Sequence, residues 1–370
     1  MNKTAFVASL ILLSCAVSFS AAHADGHLSG MEKGTIELQS IGPIGFGPEG
    51  ILFIADPKAS TVYALQTGGA HAGSASKAST PHTVKEVDKK IAAMLGVDAK
   101  ELIIHDFAVD PMSGAAYLSV SRGRGPDAAA VLIRRSASGE LAPVGLEDVA
   151  FAKATLWATP DKDRRGRDVR QDAITELAYV DGSIVVAGLS NQEFSSRLRV
   201  LDYPFTAENR ETGLEIYHTA HGQWETHSPV RTFTPFMDGK EPYILAAHTC
   251  TPLVRIPVSE IVSEKQKIIG STIAELGNRN RPLDMLIYEK DGEEFLLITN
   301  SSRGVMKLAL APMPKQPALT EEVEDTAGAD IIQIAALDGA LQIEAWGENG
   351  AVVLRKNEGG TIDLAHVALP

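Results

Sequence analysis

Histidine and cysteine crowd one stretch of this 370-residue chain: His218-x-x-His221 is followed by His227 and then by His248-x-Cys250. Imidazole and thiolate together suit Zn²⁺ or copper. On an extended segment, His248 and Cys250 stand on the same face because they are two residues apart. His218 and His221 can share one side of a helical turn. The transition-metal ligands expected from this pattern are therefore His218, His221, His248 and Cys250. The spacing matches no established zinc-finger pattern, and a buried cysteine also serves as a small apolar residue.

A second group is dispersed along the chain. Asp106, Glu176 and Asp284 are acids that begin apolar runs, and Asn300 ends one; His105, Arg231 and Arg281 lie beside such starts. Carboxylates and amides gathered at one point make an oxygen-rich site for a hard cation such as Ca²⁺. Arginines there would clamp a carboxylate or phosphate bidentately. Equally, Arg122, Arg231, Arg281 and Arg303 would close a structural salt-bridge ring with the acids. His105, next to Asp106, is placed to act as a proton-transfer base near a bound ion. No G-x-S-x-G, H-E-x-x-H, Walker or C-x-x-C-H motif occurs in the chain.

What brings these residues together is a repeat. Five segments share an order of short apolar strand, Asp/Gly turn, second apolar strand and polar stop, with first positions Asp106, Glu176, Thr232, Asp284 and Gln333. Asp-Gly between apolar runs is a strong hairpin signal, since a type I′ turn needs positive φ at both central residues. The second strands stop at Ser121-Arg122, Ser190-Asn191, His248, Asn300 and Trp346, and a third strand with a basic residue follows each stop. An N-terminal variant turns at Gly47-Pro48-Glu49-Gly50 and stops at Asp56. Six copies of a radially repeated sheet predict a β-propeller. A degenerate seventh blade has room in 141–157 or 206–224. The first strand of each blade lines the channel, and its start shares a face with the end of the second strand. The first positions and the polar stops therefore belong to one channel mouth. Segment 361–367 is expected to pair with 35–40 and join the chain ends. Segment 83–95 interrupts the all-β pattern. It carries Thr83-Val84-Lys85-Glu86 as a capping box, apolar residues at helical spacing and Gly96 as a stop, so it predicts a helix inserted between the first two blades.

The phrases Ile51-Leu52-Phe53-Ile54-Ala55-Asp56 and Ala116-Tyr117-Leu118-Ser119-Val120 resemble those of six-bladed NHL, YVTN-type and gluconolactonase/paraoxonase-like propellers. The resemblance spans 35–370 as an architecture and is not specific to one family. In the gluconolactonase/paraoxonase branch it implies a channel Ca²⁺ held by Glu, Asn and Asp from different blades, but no segment here matches that branch closely enough to carry a ligand across by name.

Composition supplies the setting. A net charge of −13 argues against nucleic acid or an anionic membrane as partner. Lys3, the short apolar run from Ala5 and Ala22-His23-Ala24 read as a signal peptide over 1–24, leaving 25–370 as one domain in the periplasm or outside the cell. Lipidation at Cys15 is the weaker alternative, and no segment of the mature chain is long and apolar enough to span a bilayer. The function expected is a module that binds a small polar ligand or another exported protein at the channel mouth. The alternatives are a metal-dependent hydrolase of the lactonase or esterase type and a Zn/Cu-binding protein.

Overall fold

The computed structural model describes residues 26–67, 83–157, 159–163, 166–206, 209–263 and 265–370; the expected signal peptide and Cys15 lie outside them. Six sheets form six blades. From the channel outward, blade 1 is Ile44–Phe46, Ile51–Asp56, Thr61–Gln66 and Val149–Thr155, with Glu32–Gly34 at its edge. Blade 2 is Leu102–Val109, Ala116–Arg122, Ala129–Arg135 and Leu141–Pro143. Blade 3 is Glu176–Val180, Ser183–Leu189, Ser196–Asp202 and Asn209–His218, extended by Gln223–Glu225. Blade 4 is Val230–Asp238, Glu241–His248, Pro252–Pro257 and Ser271–Leu276, with Thr326–Gly328 outside. Blade 5 is Pro282–Lys290, Glu293–Asn300, Val305–Ala309 and Ile332–Gln333, and blade 6 is Ala340–Trp346, Gly350–Lys356 and Ile362–Ala368. Both segments with room for a seventh blade are outer strands of blades 1, 2 and 3.

The middle of each second strand is apolar and buried because both of its faces are covered. Ile51, Phe53 and Ala55 pack toward blade 3, whereas Leu52 and Ile54 pack toward blade 2. Six such buried clusters occupy the six wedges between blades. Full burial of each Leu, Ile or Phe contributes about 1.5–3 kcal/mol, so the wedges supply the cohesion of the ring. Asp181-Gly182 and Asp291-Gly292 have positive φ at both residues, as the hairpin signal requires.

The order of blades around the ring departs from their order in the chain. The inner strand of blade 1 touches those of blades 2 and 3, and the inner strand of blade 2 touches that of blade 6. The ring therefore runs 1-3-4-5-6-2. The chain lays down the edge strand and the three inner strands of blade 1, builds blade 2 on one side, and returns with Val149–Thr155 to finish blade 1. It then proceeds the other way round. Closure follows from this detour. Ile362–Ala368 pairs with Gly350–Lys356, not with 35–40, and among the described residues Val84 alone bridges its far edge, at Leu364.

Two further expectations need correction. The helix begins at Val87, with Glu86 in a left-handed conformation and no side-chain cap. Val84 is drawn into the bridge to Leu364, and the Glu86 amide donates to Asp363 at 2.7 Å, so the capping box cannot form. The end at Gly96, φ 70°, is as expected. The sixth repeat is displaced by one strand: Gln333 sits in the outermost strand of blade 5, and Ala340–Trp346 is a first strand instead of a second. Asp338-Gly339 joins two blades here, a task a tight turn performs as well as it joins a hairpin. Among the described residues no helix is long and apolar enough to cross a membrane.

Candidate functional site

A shared irregularity aims the channel residues. In blades 2, 4, 5 and 6 the pairing of first and second strands slips just before Asp106, Thr232, Asp284 and Gln342. A bulge of this kind bends the strand and re-aims the side chain that follows. Asp106 and Asp284 then latch neighbouring blades. Asp106 Oδ2 accepts from the Ile44 amide at 2.8 Å and its Oδ1 from Gln342 Nε2 at 3.0 Å. Asp284 Oδ2 accepts from the Ile343 amide at 2.7 Å. Glu176 accepts from the amide of Leu177 at 3.0 Å.

These acids divide the channel. Above them a chamber of about 380 Å³ opens between His105, Arg231, Arg281 and Gln342; below lies one of about 1190 Å³ walled by Phe46, Tyr179, Phe233, Met285 and Trp346. Asp106 and Glu176 border both chambers, while Asp284 and Glu344 border the lower one. Burial pushes all four carboxyl groups up, Asp284 to about 7. Asp284 adds to the rise at Asp106, and both of these aspartates add to it at Glu176 and Glu344. None of the four forms an ion pair with Lys or Arg among the described residues. The expected arginine ring is absent because the arginines find other partners: Arg231 pairs with Asp172 and Arg303 with Asp325, each at 2.9 Å. Arg122 and Arg281 are exposed.

The remaining expected channel residues divide. His105 lines the upper chamber, its Nε2 lies 2.7 Å from Ser121 Oγ, and burial lowers its pKa. Asn300 lines neither chamber. Its side-chain amide donates to the carbonyls of Ile298 and Gly304, and its oxygen accepts from Asn280. Asp56 is likewise turned inward, accepting from the amides of Gln39, Ser40 and Ala59. Glu344 is the channel residue that the repeat alignment misses, because displacing the sixth copy by one strand hides it. The polar Gln342 and Glu344 alternating with Leu341, Ile343 and Ala345 are the signal for a strand with one channel face.

The histidine cluster assembles elsewhere, between blades 3 and 4 on the same face as the upper chamber. His218 ends the outer strand of blade 3, His248 ends the second strand of blade 4, and Cys250 lies in a left-handed turn at φ 66°. One donor atom each from His218, His221 and Cys250 lies within 4.8 Å of the others; His248 is not part of that group. The two imidazole rings of His218 and His221 lie side by side, centroids 4.0 Å apart. Both Nδ1 atoms meet the carboxylate of Glu225, at 2.6 and 2.7 Å. Against the upward push of burial, hydrogen bonds from His218, Gln223 and His221 hold that carboxyl well below the usual range. Burial lowers His248 to about 4, and its Nδ1 meets the Ser228 carbonyl at 2.9 Å. Burial also pushes the Cys250 thiol up, helped by Glu225 and Glu275.

The sequence matches no family model and no curated protein. Among solved structures it is similar to a catalytically inactive virginiamycin B lyase from Staphylococcus aureus with quinupristin, at 10% identity, 90% of this chain, 86% of that one and a TM-score of 0.32. It is similar also to the PQQ-bound aldose sugar dehydrogenase from Streptomyces coelicolor, at 9% identity, 91% and 96% coverage and a TM-score of 0.35. The apo-form soluble aldose sugar dehydrogenase from Escherichia coli shows 12% identity, 92% and 100% coverage and a TM-score of 0.33. Likeness at this level assigns neither site nor reaction, and function has to be argued from the residues themselves.

Proposed function

We propose that this protein is an exported binding module whose channel takes a small ligand with a cationic head, an amine above all. The observation that supports it is the layer of four half-buried, desolvated carboxyl groups, Asp106, Glu176, Asp284 and Glu344, with no basic side chain paired to it among the described residues and an aromatic-walled chamber beneath. A buried carboxylate without a counter-ion is costly, so a protonated amine placed there recovers Coulomb energy that water cannot supply. The aromatic walls suit an apolar body and favour a cation at their faces. A hard cation such as Ca²⁺ addresses the same oxygens.

Thermal unfolding of the chelator-treated protein separates these ligands. An arylalkylamine should raise Tm and an aryl carboxylate of the same size should not. At a hundredfold excess over Kd the stabilisation is about 2.7 kcal/mol. Ca²⁺ as the sole stabilising ligand would replace the amine reading; no shift with any cation would remove the proposal.

One observation favours a second reading, hydrolysis of a lactone or ester: the 2.7 Å contact of His105 Nε2 with Ser121 Oγ at the channel mouth. Turnover on a lactone and aryl-ester panel, lost in His105→Ala, would establish it. A binding module turns over none of them.

A further inference from the structure

Independently of the channel, we propose that His218, His221 and Cys250 hold one borderline-soft transition-metal ion, of the zinc or copper class, between blades 3 and 4. Three observations carry it. One donor atom from each already lies within 4.8 Å of the other two. Glu225, itself 5% exposed, takes the Nδ1 of both imidazoles, which leaves each Nε2 as the available donor. A carboxylate that fixes the tautomer and orientation of ligating histidines is the usual outer support of such sites. Finally, His218 is 1% exposed, yet its Nε2 has no hydrogen-bond partner among the described residues.

That last feature separates a metal site from a structural hydrogen-bond cluster. The contact with Glu225 explains why the Nδ1 side of His218 is buried, but nothing explains the other side. A buried polar atom left without a partner costs about 1–3 kcal/mol, a cost that a bound ion removes. His248 extends the same pattern without joining the group. It is fully buried, and its Nε2 also lacks a partner among the described residues. The donor set chooses the class of ion. Two imidazoles and a thiol suit zinc, which keeps an open fourth position with three protein ligands, or copper; the set offers no oxygen for Ca²⁺ or Mg²⁺.

The test uses the full mature chain with any affinity tag removed. After dialysis against chelator, Zn²⁺, Cu⁺ and Co²⁺ are titrated separately and bound metal is measured by elemental analysis. The expected result is one ion per chain, with a thiolate-to-metal charge-transfer band in the Co²⁺ form that Cys250→Ser abolishes. His221 is 43% exposed, so His221→Ala leaves the fold intact and should weaken binding at least about tenfold. Glu225→Gln, which touches no metal, should weaken it by about 10- to 100-fold. The Zn²⁺ and Cu⁺ arms rank the two ions. Sub-stoichiometric binding in the wild type overturns the proposal, as does equal binding by wild type, Cys250→Ser and His221→Ala.

Discussion

Glu344 differs from the other three channel acids in that no hydrogen bond reaches its carboxyl group among the described residues. Asp106, Asp284 and Glu176 each accept a backbone amide. The pH dependence of stability follows from the upward shifts. An acid raised in the folded state keeps a proton that the unfolded chain has already released, so stability declines as pH climbs from the unfolded to the folded pKa and is level above it. For Asp284, raised from 3.8 to about 7, this decline is on the order of 4 kcal/mol. Glu344→Gln should therefore leave stability unchanged near pH 4 and increase it near pH 8, read as the difference between mutant and wild-type urea curves. Equal effects at both pH values would mean that folding does not raise the Glu344 carboxyl. Three of these four acids were legible as first residues of repeats. Glu344 was not, because its signal is alternation within a strand and the Asp338-Gly339 turn suggested a different strand boundary.

At the scale of the element, bulges and close backbone contacts aim the site. Gly188 lies in the second strand of blade 3, and a Cβ there would meet the carbonyl oxygen of Ala173 at 2.0 Å. That approach lets the turn Arg170–Ala173 close onto the blade and brings Asp172 to Arg231 at the upper chamber. Neither backbone can yield cheaply, so Gly188→Ala should destabilise by about 1–3 kcal/mol in chemical denaturation. A neutral result would show that the turn is free to move away. Hairpins, second strands and the inserted helix could be read from the sequence because turn chemistry and periodicity are local. The bulges could not, since a slip of one residue leaves no mark on an apolar run. Nor could the start of the helix: Thr83 and Glu86 offer a capping box, but the pairing of Val84 with Leu364 is a distant contact that overrides it.

The whole molecule adds what no single repeat contains. Blade 2 is inserted within blade 1, and the ring closes through side-by-side packing of blades 2 and 6 around Val109, Leu118, Val352 and Leu354. Six copies foretell a ring, but neighbours in the ring are chosen by wedge packing, which adjacent positions in the chain do not encode. This closure is what makes the channel a site, because Asp106 of blade 2 meets Gln342 of blade 6 only across it. Calorimetric titration of an arylalkylamine into the chelator-treated protein at about pH 8 and about pH 6 tests the channel most directly. Protonation of Asp284, with its pKa of about 7, opposes the cation. Affinity should fall by about tenfold at the lower pH, lose that pH dependence in Asp284→Asn, and stay unchanged in His221→Ala. The same affinity at both pH values and in Asp284→Asn, or no heat of binding at either, would contradict the assignment of the channel as a cation-binding site.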